Sequence, residues 1–413
     1  MKILIHSANF APEEVGIGKY SGEMAEWLVE QGHEVRVVAA PPYYPAWQVE
    51  ASYRWPLYRR ESWRGVDVWR APLWVPRRPG GLTRILHLLT FAVTSLPLML
   101  RQIFWRPDVV LTVAPALTCA PAGWLTARLS GAQAWLHVQD FEVDVALQMG
   151  LLKGSWFAYA VRWIESRLLR RFDVVSTISG RMREHLVRKG VPVAKTHLFV
   201  NWVDVDGIRP LNTASSYRAE LQLPDTTQVV LFAGTLSAKQ GLAIIPEVAR
   251  QMADRKDLLF LICGQGPMHA SLEQAARDLP NLKVMPLQPA ERLSDLLGLA
   301  TVHVLPQRLE AEDLVLPSKL TSMLASGRPV VATCRPGTEL ASVVSQCGRI
   351  SEPGDVTALC QALSELLDDP ALADRLGAAG RAYAVEHLPR DAVLQGALDR
   401  MAQPKWRARP VNG

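Results

Sequence analysis

The chain has 413 residues, of which 49% are hydrophobic and 21% are charged, and its formal net charge is +5. These values exclude a disordered chain and leave room for two domains of ordinary size. The five cysteines are scattered and form no Cys-x-x-Cys or Cys/His cluster, so neither a zinc site nor a disulfide framework is indicated and we expect reduced thiols in the cytoplasm. We also expect no metal and no cofactor.

The first 40 residues are predicted to form a strand, a loop, a helix and a second strand. Lys2–His6 is too short an apolar run for a signal peptide, so we interpret it as a buried strand. Gly16 and Gly18 lie just before the helix, where missing side chains allow the backbone to approach a ligand. They do not form Gly-x-Gly-x-x-Gly, so an NAD-linked dehydrogenase is not indicated. A flexible turn is the alternative to a ligand loop.

Residues 51–107 hold ten arginines and five tryptophans but only two acidic residues. This composition suits nucleic acid or an anionic membrane surface. The uncharged segment between Arg84 and Arg101 has 16 residues and contains Pro97. A spanning helix needs about 20 residues, so we predict a helix lying in the membrane interface and no nucleic-acid binding, with a buried core helix as the alternative. We assign Arg77, Arg78, Arg84, Arg101 and Trp105 to this surface, together with Trp156 of a second basic, aromatic segment at 151–171.

Alternating strands and helices continue to about residue 205. The strand at 132–138 is followed by Asp140 and Glu142, and it carries His137 near its end. Side chains at the carboxyl end of a parallel strand face a ligand crevice, which predicts a polar site with His137 as a candidate, although a lone histidine is more often structural. The order of elements predicts a parallel sheet covered by helices. Strands are predicted at 2–6, 34–40, 66–71, 108–114, 132–138, 173–178 and 197–201.

A turn-rich linker at 205–227 leads into a second α/β series. Gly234 and Lys239 lie in the loop after its first strand, and Gly266 lies in the loop after its second strand, where such turns bind phosphates. The predicted domains are therefore 1–205 and 206–387, with a helix at 388–413 packing back on the first. The predicted strands are 229–233, 257–263, 282–285, 301–305 and 329–333, and the closing helices are 356–368, 370–377, 378–386 and 391–402.

Residues 301–334 are predicted to form a strand, a polar loop, a helix and a strand. Pro317 suits the first turn of a helix, and the helix is expected at about 318–325. Lys319 stands in that first turn, where a cation opposes the helix dipole unless an anion lies nearby. The N–H groups near Pro317, Ser318 and Lys319 are therefore predicted to bind a phosphate. A solvated lysine is the alternative.

Five of these segments, taken in order, resemble the GT4-type retaining glycosyltransferases, and the most similar subgroup is the colanic-acid exopolysaccharide fucosyltransferase type. The resemblance implies an α/β chain of two doubly wound Rossmann-like domains facing across a cleft, the GT-B fold. It implies an acceptor- and membrane-facing first domain and a second domain that binds the nucleotide sugar. The segments that carry it are 12–20, 201–204, 232–241, 264–267 and 314–320.

The same resemblance implies metal-independent transfer of a sugar, with fucose from GDP-fucose as the leading donor, to a polyprenyl-diphosphate-linked saccharide on the cytoplasmic face of an anionic inner membrane. Thr235 stands where the family has arginine, and Leu314 and Ser322 stand where it has two glutamates. Asp313 and Glu312 are therefore the candidate carboxylates, with His137 as a sugar or acceptor contact. The implied donor-binding residues are Gly16, Gly18, Gly234, Lys239, Gly266, Gln288 near the base, Pro317, Ser318, Lys319 and Ser322 near the ribose.

Two other functions remain open at this point. A nucleotide-sugar epimerase of the same fold needs no lipid acceptor and no membrane surface. A non-catalytic sugar-nucleotide-binding scaffold is suggested by Leu314 and Ser322, because neither side chain is a carboxylate.

Overall fold

A computed structural model describes residues 1–54, 57–77, 80–114, 118–141, 143–144, 155–308 and 317–403. The chain divides into two compact units, one formed by Met1–Val200 with the C-terminal segment from Leu394, the other by Asn201–Val393. The first unit contains an eight-stranded sheet and the second a six-stranded sheet. The predicted class, α/β with two doubly wound domains, is confirmed.

The first sheet has the strand order β3-β4-β2-β1-β5-β6-β7-β8. It is parallel except at one edge, where β3 runs antiparallel to β4, which the sequence analysis did not predict. Arg64 and Gly65 both have positive φ, at 47° and 81°, and such a two-residue turn joins antiparallel strands. The strands are β1 Lys2–Ser7, β2 Glu34–Ala39, β3 Arg59–Trp63, β4 Val66–Arg70, β5 Val109–Ala114, β6 Gln133–Val138, β7 Val174–Thr177 and β8 Thr196–Leu198.

Helices cover both faces of this sheet. The connection through α1 runs toward one edge and the connection through α2 toward the other, so right-handed crossovers place the two helices on opposite faces. Strands β5 and β6 are buried along their whole length as a result. The helices are α1 Gly16–Glu30, α2 Gly81–Gln102, α3 Ala120–Ser130, α4 Ser155–Leu169 and α5 Gly180–Arg188, with short 3₁₀ helices at Ala51–Tyr53, Ile103–Trp105 and Val193–Lys195.

The second sheet has the order β11-β10-β9-β12-β13-β14, and its strand pairs are parallel. Alternate residues of β9 point to two cores: Val230 and Phe232 to one face, Val229 and Leu231 to the other. Burial on both faces explains why these strands are continuous apolar runs. The strands are β9 Gln228–Ala233, β10 Leu258–Cys263, β11 Leu282–Met285, β12 Val302–Leu305, β13 Val330–Thr333 and β14 Gly348–Ser351.

The helices of the second unit correct two predictions. The supposed linker contains a helix capped by Ser215, and the helix expected to break after Gly377 is continuous. A Cβ atom at Gly377 would lie 2.1 Å from the carbonyl oxygen of Gly327, so this glycine permits close packing and does not end the helix. The helices are α6 Ser216–Glu220, α7 Ile244–Gln251, α8 His269–Arg277, α9 Leu293–Gly298, α10 Lys319–Ala325, α11 Glu339–Cys347, α12 Val356–Asp368 and α13 Pro370–His387, with 3₁₀ helices at Ala238–Gln240 and Ala290–Arg292. The last helix, α14 Arg390–Ala402, begins in this unit and continues into the first from Leu394.

Candidate functional site

Three loops of the second unit are joined at the carboxyl edge of its sheet. The backbone N–H of Gly234, which follows β9, donates to the carbonyl of Cys263 at 2.8 Å. The N–H of Gly264, which follows β10, donates to the carbonyl of Met285 at 3.0 Å. These bonds continue the strand pairing into the loops, so the loop backbones are held in fixed positions at the edge where ligands of such sheets bind.

Lys319 packs directly against Gly234. Gly234 has a φ of 143°, and a Cβ atom there would lie 2.1 Å from Cε of Lys319. The ammonium donates to Oε1 of Gln240 at 3.0 Å and lies 5.5 Å from the ring centre of Phe232. The lysine is therefore held by a glycine, an amide and an aromatic ring, and it is not the solvated lysine that was the alternative.

No carboxylate of the described residues forms an ion pair with Lys319. Burial lowers the pKa of this lysine from 10.5 to about 8. Its position at the start of α10 adds an unfavourable interaction with the helix dipole. Among the described residues, an amide is the only polar partner of this ammonium. A cation held against burial and the helix dipole in this way is suited to an anionic ligand.

The C-terminal end of helix α10 is held by an arginine of α13. Arg381 of α13 donates to the carbonyl of Ala325 at the end of α10, at 3.0 Å, and to the carbonyl of Ile208 at 2.8 Å. A cation at this end is favourable, because the last carbonyls of a helix lack partners within it. The glycines of α13 allow the two helices to approach closely. Lys319 is thus carried by a short helix whose other end is clamped.

Gly266 has a packing role. A Cβ atom at Gly266, whose φ is 149°, would lie 2.3 Å from the carbonyl oxygen of Leu236. That oxygen accepts from the N–H of Met268 at 3.0 Å, and the N–H of Leu236 donates to Gln265 at 2.8 Å. The residue thus allows the loops after β9 and β10 to touch, which shapes the site without requiring direct ligand contact.

The remaining predicted donor residues have different placements. Pro317 is buried, and its carbonyl accepts from the N–H of Leu320 at 3.0 Å. Ser318 and Ser322 are partly exposed, and Ser322 stands one turn after Lys319 on the same side of α10. The side chain of Lys239, and Glu312 and Asp313 in the segment 309–316, lie outside the described residues.

Gln288 is engaged within its own unit. Its Oε1 accepts from the hydroxyl of Tyr217 at 3.0 Å, and its Nε2 donates to the carbonyl of Pro286 at 2.9 Å. The side chain thus ties the loop after β11 to α6. Contact with a base, as predicted, would have to use the remaining hydrogen-bonding positions of this amide.

In the first unit, the glycine loop is organised by a carboxylate that sequence reasoning missed. Glu13 is 6% exposed, and its Oε1 accepts from the N–H groups of Tyr43 and Tyr44 at 3.0 and 2.9 Å. Burial raises the pKa of Glu13 to about 7. A Cβ atom at Gly18 would lie 2.5 Å from Cβ of Glu13, and Gly16 has a φ of 61°. The glycines therefore fit around a buried carboxyl that joins two loops at the carboxyl edge.

His137 is a core residue, contrary to the expectation that it faces a crevice. It is 3% exposed, its Nδ1 lies 2.9 Å from Oγ of Ser176, and its ring packs on Phe199. Burial lowers the pKa of His137 to about 3, so the ring is neutral. His6 and His303 are also buried beside serine hydroxyls, both at 3.0 Å. This repeated arrangement favours a structural role.

Helix α2 has apolar residues on two sides. Phe91, Leu98 and Met99 are buried, whereas the opposite side exposes an apolar stripe, which consists of Leu86, Leu89, Val93 and Leu96 at 52%, 42%, 68% and 37%. By length and composition alone, Thr83–Trp105 is one helix in the described part that could cross a membrane, and 33% of its most apolar window is buried within the protein.

The residues predicted for a membrane surface are partly assembled around this helix. Arg77 and Arg101 are exposed, whereas Arg84 is partly buried; Arg78 is outside the described residues. Trp105 has the guanidinium of Arg36 4.4 Å from its ring centre. On α4, Trp156 is 77% exposed and shares one side of the helix with exposed Tyr159, Trp163 and Ile164.

Comparison with known proteins decides the family. Residues 15–202 match the glycosyl transferase 4-like domain, and residues 227–369 match glycosyl transferases group 1. The chain is 41% identical over 405 residues to WcaI of Escherichia coli (strain K12), a glycosyl transferase named for colanic acid biosynthesis, covering 96% of this chain and 98% of that one. The chain belongs to the GT4-type glycosyltransferases.

Solved structures show that this glycosyltransferase has the GT-B fold. Sucrose-phosphate synthase from Thermosynechococcus elongatus superposes with a TM-score of 0.74 at 18% identity, covering 97% of this chain and 98% of that one. WaaG, a glycosyltransferase of lipopolysaccharide biosynthesis, gives 0.70 at 14% identity, covering 97% and 100%. Anabaena HepE in complex with UDP-glucose gives 0.68 at 14% identity, covering 97% and 99%.

Proposed function

We propose that this glycosyltransferase moves a sugar, with retention and without a metal ion, from a nucleotide-diphosphate donor to a polyprenyl-diphosphate-linked saccharide in exopolysaccharide assembly. The observation that carries the proposal is Lys319, whose side chain packs on Gly234 and whose ammonium has, among the described residues, only the amide of Gln240 as a polar partner. Support for the donor class comes from HepE, which was solved with UDP-glucose. The name of the 41% identical relative supports a colanic-acid-type polymer. GDP-fucose is the first donor to test, because the sequence resembles the fucosyltransferase subgroup.

The chemistry requires charge stabilisation at one oxygen. The bond that breaks joins the anomeric carbon to the diphosphate, and the bond that forms joins that carbon to the acceptor oxygen. Negative charge therefore builds on the leaving diphosphate, whose oxygen can take the proton that the acceptor hydroxyl loses. Lys319, held at a fixed position by α10 and Gly234, would neutralise the leaving group. Asp313 and Glu312, shortly before Pro317 in the chain, are proposed as the carboxylates beside the donor sugar.

The proposed location is the cytoplasmic face of the inner membrane. The exposed apolar side chains on α2 and α4, together with the arginines around them, support contact with an anionic lipid surface. A lipid-linked acceptor would then be reached from the surface in which its own lipid is embedded.

A donor screen followed by a transfer assay tests the proposal. Thermal unfolding is measured with GDP-fucose, GDP-mannose and UDP-glucose, and the stabilising donor is then incubated in EDTA with a detergent-solubilised polyprenyl-diphosphate saccharide. We expect one donor to raise the melting temperature and its sugar to appear on the lipid, because a ligand that binds only the folded state stabilises it. Absence of both effects with every donor contradicts the proposal. Conversion of the donor without any acceptor would instead indicate an epimerase.

A further inference from the structure

Two arginines of the first sheet, Arg36 and Arg60, lie on one face of that sheet, and Arg101 stands on α2, which packs on the same face. Arg36 of β2 is the register partner of Asp67 on β4. On β3, Asp67 is paired with Ser62, and Arg60 lies two residues before Ser62. Because side chains alternate along a strand, these residues share a face. His6 of β1 marks that face, since its Nε2 lies 3.0 Å from Oγ of Ser95 on α2.

A cavity of about 400 Å³ opens between this edge of the sheet and the end of α2. A second cavity of about 340 Å³ adjoins it and shares Arg60, Trp69 and Arg101. The first cavity is lined by Arg36, Arg60, Trp69, Arg101, Phe104 and Trp105.

The cavity has an excess of positive charge. Asp67 forms ion pairs with both Arg36, at 3.2 Å, and Arg60, at 2.7 Å, so one carboxylate serves two guanidinium groups. Arg101 forms no ion pair with a carboxylate of the described residues; its guanidinium lies 5.1 Å from the ring centre of Trp69. Partial burial and the like charges of Arg60 and Arg101 lower the pKa of Arg36, although Asp67 opposes this effect. Such a concave cluster attracts an anion that can accept forked hydrogen bonds.

Apolar side chains point outward beside the same cavity. Phe104 lines it and is 88% exposed. The apolar stripe of α2, with spacing i, i+3, i+7 and i+10 from Leu86 to Leu96, leads along the helix toward it. A free phosphate or nucleotide leaves these groups in water. A ligand with both a phosphate and acyl chains covers them.

We propose that Arg36, Arg60 and Arg101 form a pocket for the phosphate of an anionic phospholipid, with Phe104 and the apolar stripe of α2 entering the acyl region. This inference rests on the membrane location in the proposed function. Trp105 at one wall of the pocket lies beside Lys2 at the start of β1, with Nζ of Lys2 5.8 Å from its ring centre, and Arg36 is level with Leu4 in the middle of that strand. The loop with Gly16 follows the end of β1. The pocket is therefore separate from the ligand edge of this sheet, and its use would fix the orientation of the first unit on the membrane.

Vesicle binding by the full chain tests the pocket. Flotation is measured with vesicles of phosphatidylcholine alone and with vesicles that contain phosphatidylglycerol, for wild type, the double variant Arg60→Gln/Arg101→Gln and the control Arg277→Gln. Arg277 is exposed at the end of α8 in the second unit. We expect the double variant to lose about thirty-fold in affinity for phosphatidylglycerol vesicles, at about fivefold for each arginine, and the control to bind like wild type. The variant Arg101→Lys distinguishes a specific pocket from general electrostatic attraction, because lysine keeps the charge but cannot donate the paired hydrogen bonds of a guanidinium. We expect Arg101→Lys to weaken vesicle binding as well.

Three results would overturn the inference. The double variant could bind phosphatidylglycerol vesicles like wild type, Arg101→Lys could leave binding unchanged, or wild type could bind only when polyprenyl diphosphate is added, which would make the acceptor the occupant. None of them contradicts the proposed transfer, which is measured separately with solubilised acceptor. Melting temperatures equal to wild type show that the variants fold.

Discussion

Replacing Lys319 by methionine separates ligand binding from folding. Methionine keeps the aliphatic chain that packs on Gly234 and removes the charge. A pKa of about 8 in place of 10.5 means that the folded protein disfavours the protonated lysine by about 3 kcal/mol. We therefore expect Lys319→Met to be at least as stable as wild type. A charged hydrogen bond to a phosphate contributes about 1.5–3 kcal/mol, so donor affinity should fall by about 10- to 150-fold.

The pH dependence gives a second, independent signature. A diphosphate favours the protonated lysine, so binding to wild type is constant below pH 8 and requires proton uptake above it. Affinity should fall by about tenfold for each pH unit above 8 until the pKa of the complex is reached, whereas Lys319→Met should show no such decline. A nucleotide sugar is the right ligand, because its diphosphate stays ionised throughout this range.

Isothermal titration calorimetry and thermal unfolding measure both quantities. Lys256→Met is the matched control, because Lys256 is exposed just before β10, at the opposite edge of the same sheet. We expect the control to bind donor like wild type. Equal donor affinity for Lys319→Met and wild type, or the same decline above pH 8 in both, would refute the assignment of Lys319 to the diphosphate.

Three further predictions follow from the geometry. Gly234→Ala should destabilise the protein and abolish donor binding, because its Cβ atom would lie 2.1 Å from Lys319 and its φ is 143°. Gly234→Ala/Lys319→Ala should recover only the part of the stability lost to the clash, and no binding in calorimetry; a stable, donor-binding single variant would contradict the contact. Glu13 has a raised pKa of about 7, so its stabilising effect is present below pH 4.5 and is lost as pH rises through 7. Glu13→Gln should therefore remove up to about 3 kcal/mol from the pH dependence of the free energy of unfolding, measured in urea. An unchanged pH profile would exclude Glu13 as the source of that dependence. His137→Gln should lower the free energy of unfolding by about 1–3 kcal/mol, because the contact with Ser176 is lost. Sugar transfer per folded molecule should stay within about twofold of wild type. A variant of full stability that has lost turnover would show that His137 is catalytic.

Much of the fold follows from local sequence patterns. The strand Leu282–Met285 and the helix Val356–Asp368 have the bounds that the apolar runs predicted, because turn and capping residues delimit them. The edge strand Arg59–Trp63 was missed, since an edge strand with polar, largely exposed side chains carries no buried pattern. Gly377 was misinterpreted as a helix end because its close contact with Gly327 is tertiary.

Local chemistry drew attention to Lys319, because a lysine in the first turn of a helix opposes the helix dipole. The structure places it against Gly234, a glycine that lies 85 residues earlier in the chain, and its binding of a donor stays a prediction. Glu13 was missed because its burial depends on backbone groups of Tyr43 and Tyr44. His137 was misplaced because the sequence does not show that the ring lies against Ser176 of the neighbouring strand.

We propose that the chain transfers a sugar from a nucleotide diphosphate whose leaving charge Lys319 neutralises. The most direct measurement is transfer of radiolabelled sugar from the best-binding donor to a polyprenyl-diphosphate saccharide in EDTA, for wild type and Lys319→Met at equal concentrations of folded protein. We predict labelled lipid with wild type, a product with the anomeric configuration of the donor, and at least tenfold less product with Lys319→Met. Equal product from both proteins would contradict the role of Lys319, and no product from wild type with any donor would contradict the proposed transfer.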